Sequence, residues 1–195
     1  FLAPFGFGSR TGIDIAGEAV GILPSTAWKR AKRGEPWYLG ETLISGIGQG
    51  YTLATPLQLA VATATLANNG RTLQPHLMSM VIQGDGSSKF FTPDRPVLTI
   101  AKKHEPHWQH TIDAMVSVVH GNRGTAKKMG QDQPYKIAGK TGTAQVISIK
   151  MGEDGKADGP RHHKPHAWFV AYAPSDDAKI AVAVIVEHGE HGSSA

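Results

Sequence analysis

The sequence of 195 residues contains no cysteine. This absence excludes disulfide bonds and thiolate metal sites, and it is compatible with either a periplasmic or a cytosolic protein. There is also no signal peptide and no run of about 18 apolar residues, so no part of the sequence predicts a membrane anchor. Because the chain begins with Phe1 rather than Met, we expect it to be a segment of a longer protein, with any anchor outside it.

A strong excess of charge is lacking too. The formal net charge is only +4, and the basic residues do not form a stripe in which they alternate with aromatic side chains. Such a stripe is typical of nucleic-acid-binding surfaces, so we expect no nucleic acid among the partners. Hydrophobic residues make up 40% of the sequence, which is enough for a core and excludes a disordered chain.

The clearest helix signal follows a glycine-rich turn. The GIGQG sequence at 46–50 predicts a tight turn rather than a phosphate-binding loop, because no Lys-Ser or Lys-Thr comes after it. Thr55 suits an N-cap, Pro56 suits the first helical position, and Asn69-Gly70 is a typical helix end. Five residues of this helix are expected to face a core: Leu57, Ala60, Val61, Ala64 and Leu66.

Other local signals complete the picture around this helix. Residues 71–82 are strand-like and 83–88 form a polar turn, which predicts a hairpin. Residues 126–129 predict a short basic helical piece. A second amphipathic helix, ending at Gly121, is predicted from residues at helical spacing: Trp108, Ile112, Met115, Val116 and Val119. A solvated face, rather than a patch for an acidic ligand, is our interpretation of a basic cluster: Lys29, Arg30, Lys32 and Arg33.

The C-terminal part has the composition of a sheet. Tyr135 to Val146, His166 to Ala173 and Lys179 to Glu187 are predicted strands, and Pro174 to Asp177 is a predicted turn. The polar stretch from Ile147 to Pro165 is a predicted long loop. Because the strands are apolar on both faces, we predict an α/β fold of the α+β type, with an antiparallel meander covered by helices.

The first of these strands contains the candidate functional residues. Gly139 and Gly142 bracket Lys140 and Thr141, and Thr143 follows, so a cation and two hydroxyls lie where small neighbours let a ligand approach. This arrangement is a candidate anion-binding edge. Lys-Thr-Gly is also one of three signatures of the penicillin-recognising serine acyltransferases, beside Ser-x-x-Lys and Ser-x-Asn.

Ten histidines raise the question of a metal site. The candidates are two groups, His162, His163 and His166, and His188 with His191. Their spacing matches no known ligand pattern, and no cysteine supports them. We therefore interpret them as ordinary loop histidines and expect neither a metal nor another cofactor.

Several motifs in sequence order resemble the class B penicillin-binding proteins. They are GIGQGY, ATPLQLA with NNG, the GTA of Gly124 to Ala126, YKIAGKTGTAQV, and HAWFVAYAP with a final apolar strand. GIDIAGE and PWYLGET resemble the elongation-type members more than the division-specific ones. The resemblance covers most of the chain, and the combination is far more specific than any single motif.

The resemblance implies the penicillin-binding-protein and serine β-lactamase-like transpeptidase fold, with residues 1–195 as its C-terminal portion. It implies a D,D-transpeptidase that cross-links peptidoglycan stem peptides through a serine acyl-enzyme and that β-lactams inhibit. Lys140 would bond the serine of the Ser-x-Asn element, Thr141 and Thr143 would hold the substrate carboxylate, and the Thr143 N–H would serve the oxyanion hole. Gly142 would keep the edge open.

The resemblance also implies a cellular setting. The intact protein would lie on the periplasmic face of the bacterial inner membrane, anchored by a segment outside this chain. Its partners would include a membrane glycan polymerase and other proteins of the elongation complex, in addition to stem peptides and β-lactams.

One departure from the family pattern concerns the nucleophile. The chain has no Ser-x-x-Lys, the nearest approach being Thr26-Ala27-Trp28-Lys29, and it has no Ser-x-Asn. Ser175-Asp176-Asp177 resembles a Ser-x-Asp variant of this element, but it falls in a predicted strand-strand turn, and in the family the element precedes Lys-Thr-Gly. We therefore expect the nucleophile upstream of Phe1 and expect this segment alone to be inactive. The alternative is a non-catalytic relative that binds peptide or a partner protein.

Overall fold

The computed structural model describes residues 1–90, 98–100, 105–146 and 164–193, which divide into two units, Phe1–Ala101 and Lys102–Ala195. The predicted loop at 147–165 therefore falls almost wholly outside the described residues. The described part of the first unit contains three α-helices: α1 (Thr26–Arg33), α2 (Leu39–Gly46) and α3 (Pro56–Ala67). Its strands pair antiparallel, β1 (Arg71–Thr72) with β4 (Leu98–Thr99) and β2 (Met80–Ile82) with β3 (Ser88–Phe90). The β2–β3 pair confirms that a hairpin forms here, but its first strand is only Met80–Ile82 rather than 71–82, and Ser88 belongs to β3 rather than to the turn.

Helix α3 begins as the sequence predicts. The Thr55 hydroxyl accepts from the Gln58 N–H at 3.1 Å, and the Gln58 side chain accepts from the Thr55 N–H at 3.0 Å, which forms a capping box. The predicted core residues are only half-buried, whereas Gln58, Thr63 and Thr65 are buried. The two threonine hydroxyls donate to carbonyls one turn earlier, which lets them be buried at low cost.

The interpretation of the basic cluster was wrong for Lys29. Arg30, Lys32 and Arg33 are exposed, but Lys29 is 1% exposed and pairs with Glu41 and Glu35. Burial by itself lowers the pKa of Lys29, but the hydrogen bonds to Glu41 and Glu35 and the charge of Glu41 outweigh it, so the pKa is raised. The ammonium group also lies 4.2 Å from the centre of the Tyr38 ring.

The second unit is a helix packed on a three-stranded sheet. The elements are α4 (Glu105–His120), β5 (Ala138–Ala144), β6 (His166–Ala173) and β7 (Ile180–Val186). The strands are antiparallel in the order β5-β6-β7, which confirms the meander, and α4 contacts β5. Among the described residues of this unit, the buried hydrophobic ones are Val119, Ala126, Ala138, Ala167, Ala171 and Tyr172.

Strand β5 is shorter than predicted. It begins at Ala138 rather than Tyr135 and ends at Ala144 rather than Val146. Before it, the Ile137 N–H donates to His120 Nε2 at 2.8 Å instead of joining a strand ladder. The end of α4 therefore fixes the point at which the chain enters the sheet.

The predicted helical piece at 126–129 is also wrong, because this stretch forms successive turns. Met129 N–H donates to the Ala126 carbonyl and Gly130 N–H to the Lys127 carbonyl, each three residues back. The Ala126 N–H donates to the Val118 carbonyl at 3.0 Å, which ties the turn to the end of α4. Gly121, the predicted helix end, follows directly after the last residue of α4.

Candidate active site

All four predicted site residues lie on β5, an outer strand of the sheet. Side chains alternate along a strand, so Thr141 and Thr143 share one face while Lys140 and Gly142 belong to the other. Lys140 and Thr143 are exposed, and Thr141 and Gly142 are half-buried. Among the described residues, this outer strand thus carries two hydroxyls on one face and a cation on the other.

Near its start, the strand is packed tightly on the face that also carries Thr141 and Thr143. A Cβ on Gly139 would lie 2.7 Å from Phe169 Cζ and 3.2 Å from Val119 Cγ2. Glycine is therefore required where β5 meets β6 and α4, because a larger side chain would displace one of them. This packing sets the position of Lys140 and Thr141, which follow directly.

A residue outside the predicted set also contacts this strand. Thr125, in the turn after α4, places its hydroxyl oxygen 2.9 Å from the Thr141 hydroxyl oxygen. The ammonium group of Lys140 donates to the carbonyl of Thr141 at 2.5 Å, so it lies along its own strand. Two polar groups from other residues, the Thr125 hydroxyl and the Lys140 ammonium, thus contact Thr141.

The segment after β7 returns to β5. A Cβ on Gly192 would lie 2.5 Å from the Gly142 carbonyl oxygen and 2.9 Å from the Gly142 nitrogen, and it would also strike the Trp168 carbonyl oxygen. The segment is held by the Glu190 N–H, which donates to the Pro165 carbonyl at 3.0 Å, and by an ion pair between Lys164 and Glu190. The hydrogen bond and charge of Lys164 lower the pKa of Glu190.

Two of the candidate metal-binding histidines contact each other. His166 and His188 have ring centres 5.0 Å apart, and His166 Nδ1 accepts the His188 N–H at 3.0 Å. His162 and His163 lie outside the described residues. Within the described ranges, no three metal-ligating side chains come together.

Ser175, Asp176 and Asp177 lie in the turn between β6 and β7, as the sequence predicts. They are at the end of the sheet where β5 begins, since the Ser175 N–H donates to the Lys136 carbonyl at 2.8 Å. An open pocket of about 550 Å³ here is lined by Pro134, Tyr135, Lys136, Pro174, Ser175, Asp176 and Asp177. It contains none of the four predicted site residues.

Sequence reasoning missed Thr125, His120 and Gly192 as contributors to the geometry of β5. A signal for Thr125 was present, because it is the middle residue of the GTA sequence. His120 and Gly192 carried no comparable local signal, since their roles depend on contacts with Ile137 and Gly142 that are distant in sequence.

The arrangement can bind an anion but supplies no nucleophile of its own. An ammonium group and hydroxyl donors on a sheet edge suit a carboxylate. The sequence contains no Ser-x-x-Lys pair that could form an acyl-enzyme. The described helices also include none that is both long and apolar enough to cross a bilayer.

The chain is similar to known proteins over its whole length. The family model of the penicillin binding protein transpeptidase domain matches residues 1–195. The peptidoglycan D,D-transpeptidase MrdA of Haemophilus influenzae is 40% identical over 198 residues, which cover 100% of this chain and 30% of that protein. The chain thus spans about a third of the length of this curated relative.

Solved structures of penicillin-binding proteins are similar to this chain as well. The crystal structure of Pseudomonas aeruginosa PBP2 in complex with WCK 5153 is 44% identical, with a TM-score of 0.82, over 98% of this chain and 39% of that chain. PBP2 from Helicobacter pylori, in a complex with MreC, is 33% identical, with a TM-score of 0.78, over 97% of this chain and 31% of that chain. The predicted fold class is confirmed, and the chain belongs to the penicillin-binding protein transpeptidase domain family.

Proposed function

We propose that this chain is the C-terminal part of the transpeptidase domain of a peptidoglycan D,D-transpeptidase of the PBP2 type. The observation that carries the proposal is the edge of β5, where Lys140, Thr141, Gly142 and Thr143 form an open, polar surface. The relatives named above are longer than this chain. The serine nucleophile and the Ser-x-Asn element are assigned to the part of the protein outside residues 1–195.

In this proposal β5 binds the substrate. The terminal carboxylate of a stem peptide, or the carboxylate of a β-lactam, accepts hydrogen bonds from the Thr141 and Thr143 hydroxyls. Lys140 adds positive potential and bonds the serine of the Ser-x-Asn element. Because β5 is an outer strand, alternate N–H groups point away from β6, and the Thr143 N–H is assigned to the oxyanion hole. A donor of that kind typically contributes about 3 kcal/mol to the transition state.

The reaction has two acyl-transfer steps. The serine hydroxyl attacks the carbonyl of the D-Ala-D-Ala bond, the C–N bond breaks, and the last D-alanine leaves with a proton on its amine. An amine of a neighbouring strand then attacks the ester, releases the serine and forms the cross-link. A β-lactam acylates the same serine but keeps its leaving group attached.

The cellular setting belongs to the same proposal. The intact protein acts on the periplasmic face of the inner membrane, with its anchor outside this chain. An H. pylori PBP2 forms a complex with MreC, and another similar structure is described as a peptidoglycan synthase complex that coordinates polymerization and crosslinking. We propose partners of the same kind here, a membrane glycan polymerase and other proteins of the elongation complex.

The test is acylation of the full-length protein by a fluorescent penicillin. Lys140→Ala is expected to slow acylation about 10- to 100-fold, because it removes a charge-assisted hydrogen bond. The melting temperature is expected to change little, because Lys140 is exposed. Lys136→Ala is the matched control, since Lys136 is an exposed lysine just before β5 and is expected to label normally.

The oxyanion-hole assignment has its own variant. Thr143→Pro removes the backbone N–H and is expected to slow acylation about 100-fold or more, while Thr143→Ser keeps both the N–H and the hydroxyl. Normal labelling of a folded Thr143→Pro protein would remove Thr143 from the oxyanion hole. A full-length protein that binds peptide or a partner but is never acylated would support the non-catalytic alternative.

A further inference from the structure

The hydroxyl pair of Thr125 and Thr141 joins two parts of the second unit. The two oxygens are 2.9 Å apart although the residues are 16 positions apart in sequence, and either one can be the donor. Thr125 is exposed and Thr141 is half-buried. The contact therefore lies at the surface, beside the edge assigned to the substrate carboxylate.

The position of Thr125 is fixed by its neighbours. The Gly124 N–H donates to the Gly121 carbonyl at 2.9 Å, and the buried Ala126 donates to the Val118 carbonyl at 3.0 Å. A Cβ on Gly124 would strike the Val118 carbonyl oxygen, so the turn lies against the last turn of α4. With both adjacent residues held in this way, the Thr125 hydroxyl is presented to Thr141 without a large loss of backbone entropy on binding.

The chemistry of two hydroxyls determines what this contact can do. Thr141 has one hydroxyl proton, and it can donate that proton either to Thr125 or to an anion. When Thr125 is the donor, the Thr141 oxygen accepts one bond while its proton remains available to a carboxylate. Hydrogen bonds arranged in such a chain also strengthen one another.

We propose that Thr125 is a positioning residue for substrate recognition, which donates to Thr141 and thereby directs the Thr141 proton towards the substrate carboxylate. The proposal rests on the proposed function, because it requires Thr141 to bind that carboxylate. The ligand class is a small molecule or peptide with a free carboxylate next to the scissile amide. Thr125 itself contacts only Thr141 in this scheme.

The experiment measures second-order acylation rates of the full-length protein with benzylpenicillin and with its methyl ester, which lacks the charged carboxylate. Thr125→Val is expected to slow acylation by benzylpenicillin about 5- to 10-fold, because it removes the hydrogen bond between Thr125 and Thr141. The rate with the ester is expected to change less than 2-fold. Thr125→Ser is expected to keep both rates, and Thr125→Ala to reproduce the selective loss.

A matched control and a double variant separate position from general packing. Thr111 is an exposed threonine of α4 whose hydroxyl bonds to the His107 carbonyl, so Thr111→Val is expected to leave both rates unchanged. Thr141→Val is expected to slow acylation by the free acid more than Thr125→Val does. The double variant of Thr125 and Thr141 is expected to match Thr141→Val alone, because the Thr125 effect passes through Thr141.

Two results would overturn the role of Thr125 while leaving the proposed function intact. One is a Thr125→Val rate equal to wild type in the presence of a clear Thr141→Val defect. The other is an equal loss with benzylpenicillin and the ester, which would indicate a general disturbance of the strand. A wild-type protein that is not acylated, or a Thr141→Val variant without any defect, would overturn the carboxylate assignment and the role of Thr125 with it.

Discussion

Gly192 offers a sharp test of how the site geometry is maintained. In Gly192→Ala, the new Cβ would be 2.5 Å from the Gly142 carbonyl oxygen, whereas ordinary contacts begin at 3.4 Å. The shortfall is about 0.9 Å, and the atoms it meets in Gly142 and Trp168 are all backbone atoms that cannot rotate away. Because the segment is also held through Glu190, we expect β5 to move rather than the segment to lift.

A displacement of about 1 Å in a site can cost about 100-fold in rate, so Gly192→Ala is expected to slow penicillin acylation of the full-length protein about 10- to 100-fold. Overpacking of this kind typically costs about 1–3 kcal/mol of stability, which thermal melting measures in parallel. The control is Gly189→Ala, whose Cβ would have as its nearest neighbours side-chain atoms of Ala167 and Val186 at 3.0 Å and longer. A normal acylation rate for Gly192→Ala would show that the segment yields instead, and would refute the reasoning.

Three further predictions concern stability, each measured by thermal melting of the full-length protein. The hydroxyl of the buried Tyr172 has no hydrogen-bond partner among the described residues, so Tyr172→Phe is expected to stabilise the protein by about 1 kcal/mol; a loss of stability would contradict this. Gln58 is fully buried and donates to two loop carbonyls at 2.8 Å, so Gln58→Ala is expected to cost about 2–3 kcal/mol, and an unchanged melting temperature would count against that role. The hydrogen bond from Lys29 lowers the pKa of Glu41 below its usual 4.5, so its stabilising effect is present above that pH and is lost as the pH falls through the lowered pKa. Glu41→Gln is expected to melt lower at neutral pH and to lose less stability on acidification than wild type, and identical acid profiles would argue against the pair.

Patterns within a single element were readable from the sequence. The cap at Thr55 and the strand from His166 to Ala173 follow from local composition, and the structure has them where the sequence predicts. The β2–β3 hairpin was predicted too, but with a first strand much longer than the observed Met80–Ile82. The edge position of β5 follows from its place as the first strand of a meander, which the turn at 174–177 favours. The motif carrying Lys140 could therefore be assigned to a sheet edge without coordinates.

The features that could not be predicted from the sequence depend on contacts with residues elsewhere in the chain. Lys29 looked like a member of a solvated cluster because nothing next to it indicates that Glu41 would neutralise it. Tyr135 was predicted to start a strand because its β propensity is high. The Ile137 N–H bonds to His120 instead of to a neighbouring strand, so β5 begins only at Ala138. Burial of polar side chains in α3 was missed for the same reason, since apolar periodicity cannot reveal hydrogen-bond partners.

The sequence also predicted only in part how the face of the sheet opposite to the Lys140 side chain is covered. The sequence predicts strands that are covered on both faces, yet four alternate residues of β7 are exposed in the described structure: Ile180, Val182, Val184 and Val186. By register, they lie on the same face as Thr141 and Thr143. Strand composition therefore predicted the sheet correctly but did not predict which part α4 covers.

The most direct test of the account is to locate the acyl group by mass spectrometry. The full-length protein is incubated with benzylpenicillin, digested, and searched for a penicilloyl adduct. We predict one adduct, on the serine of a Ser-x-x-Lys sequence outside residues 1–195, and slower formation of that adduct in the Lys140→Ala variant. Absence of any adduct, or an adduct on a residue within this chain, would contradict it.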